Sequence, residues 1–91
     1  MANIYLKEII VEFKNEVVSK IEDGKDNFSK GQFETVEYIL GDLFNRFNNC
    51  ESVDEVVEVA ELINDYLELN HDGGLDTDGV NIDSIIKLFT E

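Results

Sequence analysis

Apolar residues recur along this chain at three- and four-residue steps, the spacing that gathers side chains on one face of a helix. From about Ile4 to Glu22 the series is Leu6, Ile9, Ile10, Phe13, Val17 and Ile21, which predicts a first helix with one core-facing stripe. Glu16 and Lys20 form an i,i+4 pair on its outer side. The run Glu22-Asp23-Gly24-Lys25-Asp26-Asn27 interrupts the period, and Gly24 suits a left-handed position past the helix end. A second helix is expected from about Asn27 or Phe28 to Phe47, with Phe33, Val36, Ile39, Leu40, Leu43, Phe44 and Phe47 on one broad stripe. That breadth predicts the central element of the fold. Gly31 and Gly41 weaken it unless a neighbouring backbone needs the space they leave.

Asn48-Asn49-Cys50-Glu51 breaks the pattern again, and Ser52-Val53-Asp54-Glu55 reads as a capping box. The Ser hydroxyl accepts from the amide three residues on, while Glu55 reaches back. The helix this starts is expected over Val53 to Leu69, with Val53, Val56, Val57, Ala60, Ile63 and Leu67 inward. Val59, Leu62 and Tyr66 widen its apolar arc, and with Leu69 they form a candidate seam for self-association. His71 to Gly79 is a loop by composition. A short last helix, Asp83 to Phe89, carries Ile85, Ile86 and Phe89, with Ile82 just before it and Asp83 and Ser84 as its cap. The expected fold class is all-α: a small bundle of three main helices plus a short C-terminal fourth.

Residues 1–91 at 10.4 kDa fit one domain, since two independent cores could hardly be filled from so short a chain. No apolar run reaches the roughly 18 residues that a membrane span needs, and the N-terminal residues lack the basic-then-apolar order of a secretory signal. One Cys and one His exclude an internal disulfide framework and a Cys/His zinc site. A reducing, cytoplasmic setting is expected.

Charge changes the picture most. Seven basic and twenty-one acidic residues give a net charge of −14, which disfavours direct binding to nucleic acid or an anionic membrane and favours a basic partner. The charge is also lopsided: residues 1–30 hold six acids and five bases (net −1), while residues 31–91 hold fifteen acids and two bases (net −13). At 100° per residue, Glu51, Asp54, Glu58, Glu61, Asp65 and Glu68 fall within an arc of about 100° and run about 26 Å along the third helix. One carboxylate every 4 to 5 Å (roughly) is comparable to the phosphate spacing of about 3.4 Å along one strand of a duplex. A basic groove built for nucleic acid would accept this ridge, and Asp72, Asp76 and Asp78 would extend it.

Chemistry of other kinds finds little support. Glu68 to Asp76 resembles the opening of an EF-hand or dockerin-type calcium loop, with oxygens at loop positions 1, 3, 5 and 9 and Gly73 at the turn. The pattern then breaks: Gly79 stands where a bidentate acid belongs, and Asp78 arrives one residue early. Asp83-Ser84-Ile85 is similar to the attachment site of acyl carrier proteins, but only seven residues follow Ser84, too few for the helices that family needs. Cys50 and His71 carry no signature of a nucleophilic pair. No phosphate-cradling glycine loop exists, and neither a metal nor a cofactor is expected. The chain reads as a non-enzyme.

In size, acidity and Asn/Lys-rich style the chain resembles small phage-encoded anti-defence proteins of the anti-CRISPR and DNA-mimic anti-restriction kinds, and Lys30-Gly31-Gln32 leading into a helix bearing Phe33 and Tyr38 is similar to short helical proteins of phages that infect low-GC Gram-positive bacteria. That resemblance implies a non-enzymatic inhibitor or adaptor acting in a bacterial host cytoplasm. Its partner would be a basic nucleic-acid-binding protein, such as a CRISPR effector or a nuclease, blocked at its nucleic-acid channel. Two alternatives come from other classes: an immunity or antitoxin-like protein that neutralises a basic nuclease toxin, and an EF-hand-like calcium-binding module. Colicin-type immunity proteins are similar in size, acidity and helical build, although their tyrosine pair is missing here.

Overall fold

Helix α1 spans Asn3–Asp23, and its expected stripe is the buried one: Leu6, Ile9, Phe13, Val17 and Ile21 are buried and Ile10 is half-buried. The computed structural model describes residues 3–69 and 80–90 of the chain. The helix ends where the Gly24 N–H donates to Lys20 O at 3.3 Å. Gly24 then sits at φ −94°, ψ 2°, not in the expected left-handed region. It is buried, and the chain leaves α1 through a 3-10 turn, Lys25–Asn27.

Helix α2 starts later than expected and spans Lys30–Asn45. Ser29 is its N-cap: the Ser29 Oγ accepts from the Gln32 N–H at 3.3 Å, and the Gln32 Oε1 accepts from the Ser29 N–H at 3.1 Å. Just outside the cap, the Phe28 ring meets Phe33 at 6.0 Å between centroids. These two residues are the N′ and N4 positions of a hydrophobic staple, which sets the angle at which the chain enters the helix. The apolar stripe misled the boundary because Phe28 extends it backwards while serving the staple. At the other end the helix tightens into a 3-10 turn, Arg46–Asn49, where Phe47 is buried. An added Cβ at Gly31 or Gly41 would meet nothing within 4 Å, so neither glycine serves a close approach.

Helix α3 spans Val53–Leu69 as expected. The Ser52 Oγ accepts from the Glu55 N–H at 3.3 Å, but the Glu55 carboxylate reaches one residue further back than a standard box and accepts from the Glu51 N–H at 2.7 Å. Helix α4 spans Ile82–Thr90, and its cap is neither Asp83 nor Ser84. The Asn81 Oδ1 accepts from the Ser84 N–H at 3.2 Å instead, placing the boundary one residue earlier.

One apolar cluster joins all four helices. Its most deeply enclosed side chains are Ile9, Phe13 and Val17 from α1, and Val56, Ile63 and Leu67 from α3, with only Leu40 from α2. Helices α1 and α3 are therefore the centre, and α2 is a flank, contrary to the expectation that its broad stripe would make it central. Ile39, Leu43 and Phe44 of that stripe are only half-buried. Helix α2 packs on α3, and α4 packs on α1. The 3-10 turn after α2 brings Phe47 edge-on to Phe13, with centroids 5.9 Å apart. The four α-helices, with no strand among the described residues, make a small all-α bundle.

Candidate partner-binding face

Helix α3 has two sides of opposite character because its sequence pattern divides cleanly at 100° per residue. Val56, Ala60, Ile63 and Leu67 are buried on one side. Asp54, Glu58, Glu61, Asp65 and Glu68 are all exposed, and they centre about 150° away around the helix within an arc of about 80°. Asp54 to Glu68 covers fourteen steps, or about 21 Å. The face holds no Lys or Arg, since none occurs between Arg46 and Lys87.

Glu51, the sixth expected member, precedes the helix, so the helical angle does not place it. Its carboxylate is exposed, while its backbone is fixed by the bond to Glu55. Glu55 serves the cap and sits off the ridge. Asp72, Asp76 and Asp78 lie outside the described residues, as do His71 and every position of the calcium-like loop after Leu69. The helical ridge is thus five carboxylates long, with Glu51 at its approach.

The seam expected from Val59, Leu62, Tyr66 and Leu69 does not hold together. Val59 is buried at 9% exposure, and Tyr66 is half-buried against the core. Leu62 and Leu69 alone stand out, at 47% and 82% exposed. Both border the ridge, one heptad apart. Val59 and Tyr66 leave the expected seam because the core reaches further around α3 than the inward stripe alone would carry it.

At the N-terminal end of α3, Cys50 is half-buried between the 3-10 turn and the helix. Its Sγ lies 3.7 Å from Arg46 O, to which it donates. Burial pushes the thiol pKa up, and the Glu55 and Glu58 carboxylates push it further. It is a protonated packing residue and not a poised nucleophile. Among the described residues no group of three His, Cys, Asp or Glu side chains is placed to hold a metal ion, and no helix is long and apolar enough to cross a membrane.

What these features define is a class: a small, strongly acidic all-α bundle with a one-signed exposed helix face. Comparison with protein-family models, curated proteins and solved structures returns no match.

Proposed function

We propose that the chain is a non-enzymatic inhibitor or adaptor that lays the α3 ridge against a basic, nucleic-acid-binding surface of another protein. One observation carries this reading. Five exposed carboxylates occupy a single helical arc opposite the buried side of the same helix, in a stretch of sequence that holds no Lys or Arg between Arg46 and Lys87. Surface charge that serves only solubility has no need to collect one sign on one face.

The arrangement is costly to the free protein. Four successive like-charge neighbours at i,i+3 or i,i+4 destabilise by about 0.2 to 0.5 kcal/mol each in low salt. A cationic groove would offset that repulsion on binding and gain steering from the same field. A CRISPR effector or an anti-restriction target, acting on nucleic acid in a bacterial cytoplasm, presents such a groove, and the ridge would compete with nucleic acid for it.

The test is capture from a bacterial host lysate followed by elution in a salt series. A ridge-neutral variant (Asp54→Asn, Glu58→Gln, Glu61→Gln, Asp65→Asn and Glu68→Gln) is run alongside. The expected result is a basic nucleic-acid-binding protein that elutes as salt rises, is lost with the variant, and is displaced by its own nucleic acid. Capture that is indifferent to both salt and the five substitutions would overturn the proposal.

A further inference from the structure

The outer face of α1 carries the chain's other conspicuous surface. Val11 and Val18 stand 47% and 42% exposed, seven residues apart. Lys7 and Lys14 each precede one of them by four residues, which sets each lysine about 40° to the same side of its valine. On that side an open groove of about 330 Å³ runs beside the helix, with Lys7 and Lys14 at its lip and Ile10, Phe47 and Cys50 among its walls. Lys14 is steadied there, its Nζ lying 5.7 Å from the Phe44 ring centroid.

The outer face of α3 repeats this pattern with the opposite charge. Glu58 precedes Leu62 by four residues, and Asp65 precedes Leu69 by four, so each acid lies about 40° to the same side of its leucine. A helix turned end for end against another keeps the same angular side facing it. In an antiparallel pair with Val11 on Leu62 of a second copy, the 1.5 Å rise per residue brings Lys7 level with Asp65 and Lys14 level with Glu58, each to within about 2 Å along the axis.

From this register we propose that the α1 groove is a self-association site, and that its occupant is the α3 outer face of a second copy. Charge distribution favours that occupant. Residues 1–30 are nearly neutral while residues 31–91 carry −13, and Lys7 and Lys14 both line the groove, so an acidic helix meets attraction at its lip. Beyond about 8 Å the remaining repulsion is screened at physiological salt. Helices α1 and α3 pack on each other through their buried sides, which turns the two docking faces away from each other across the core. The contact is therefore head-to-tail, and assemblies grow with concentration instead of closing at a symmetric dimer. The contact uses the same α3 face as the partner proposed above, so the two would compete for it, but its test involves the chain alone and can fail separately.

Sedimentation of the purified chain over a dilution series tests it, using two charge-reversed variants. The native chain should gain mass steadily with concentration. Lys7→Glu/Lys14→Glu removes the groove's cations but keeps the ridge, and Glu58→Lys/Asp65→Lys does the reverse. Each alone should stay monomeric with unchanged helicity, because all four positions lie outside the buried core. Mixed together, they should assemble again in alternation, since the native ridge of one meets the native lysines of the other and the two reversed faces are complementary as well. A native chain that remains monomeric throughout, or a mixture that does not pair, overturns the inference. So does a charge-reversed variant that assembles as the native chain does.

Discussion

Asn64 and Val80 hold each other through both edges of one side-chain amide. The Asn64 Nδ2 donates to Val80 O at 2.9 Å, and the Val80 N–H donates to Asn64 Oδ1 at 3.0 Å. Val80 itself is buried, so its peptide groups have little access to water. The pair clamps the strand of chain entering α4 onto the middle of α3, sixteen residues back in sequence. Only an amide side chain offers a donor and an acceptor in that geometry.

Removing the clamp should therefore cost more than an ordinary surface change. Asn64→Ala leaves a partly buried N–H and C=O unpaired, a loss of about 1 to 3 kcal/mol. In a domain of this size each kcal/mol lowers Tm by roughly 4 to 8 °C. Asn64→Asp keeps the acceptor but loses the donor, and sets a carboxylate against the Val80 carbonyl at neutral pH. It too should melt below the native protein. Thermal unfolding followed by circular dichroism checks both, and a native-like Tm for Asn64→Ala would show that the contact contributes nothing.

Gly41 offers the opposite sign. It is exposed in the interior of α2, and an added Cβ there meets no neighbouring atom within 4 Å. Gly41→Ala should stabilise the protein by about 1 kcal/mol through a less flexible unfolded chain and better helix propensity. Gly31→Ala should gain less, because Gly31 lies in the first turn, where fewer helical bonds depend on it. Urea unfolding of the two variants, with midpoints compared at equal slope, measures the difference.

These positions show what the sequence reveals and what it hides. The bounds of α3 were legible because Ser52 and Glu55 occupy box positions directly ahead of a helical stripe. Ser29 and Gln32 occupy the same positions ahead of α2, but the aromatic Phe28 prolongs the stripe across the boundary and masks them. The left-handed role given to Gly24 followed from residue type, whereas the chain leaves α1 by tightening, which needs a small buried residue and no positive φ. The central role given to α2 followed from the number of apolar residues, but enclosure depends on neighbours, and α1 and α3 have them on more sides. The ridge was readable from spacing alone except at Glu51, which the helix does not include. Nothing in the sequence marked Asn64, since a clamp between a helix and a distant backbone has no local pattern.

Cys50 should behave as a reluctant thiol. Its pKa is raised by burial and then by Glu55 and Glu58, so its thiolate fraction at neutral pH is below that of a free cysteine. Alkylation by iodoacetamide should be slow near pH 7 and climb late as pH rises. Glu58→Gln removes one of the charges opposing ionisation and should speed the reaction at a given pH. The sign for stability follows from linkage: the folded state holds the thiol proton more tightly than the unfolded state. That contribution is fully present below the ordinary thiol pKa of about 8.5 and is lost as pH rises through the folded value. Cys50→Ser should flatten this alkaline decline, and an unchanged pH profile would refute the assignment.

Glu61 occupies the middle of the α3 ridge, with Glu58 three residues before it, Asp65 four after and Glu68 seven after. Neutralising it removes two like-charge neighbour contacts, each worth about 0.2 to 0.5 kcal/mol. Glu61→Gln should accordingly raise stability by about 0.4 to 1 kcal/mol at low ionic strength. The gain should shrink as salt rises, because the Debye length falls from about 30 Å at 0.01 M to about 3 Å at 1 M. Asp83→Asn makes a useful contrast: its acid sits in the first turn of α4, where negative charge is favourable to the helix dipole. That change should lower stability instead. Unfolding midpoints of the two variants at low and high salt would then move in opposite directions relative to the native protein and converge at high salt. Equal shifts, or a Glu61→Gln gain indifferent to salt, would mean that the ridge carries no electrostatic strain for a cationic partner to relieve.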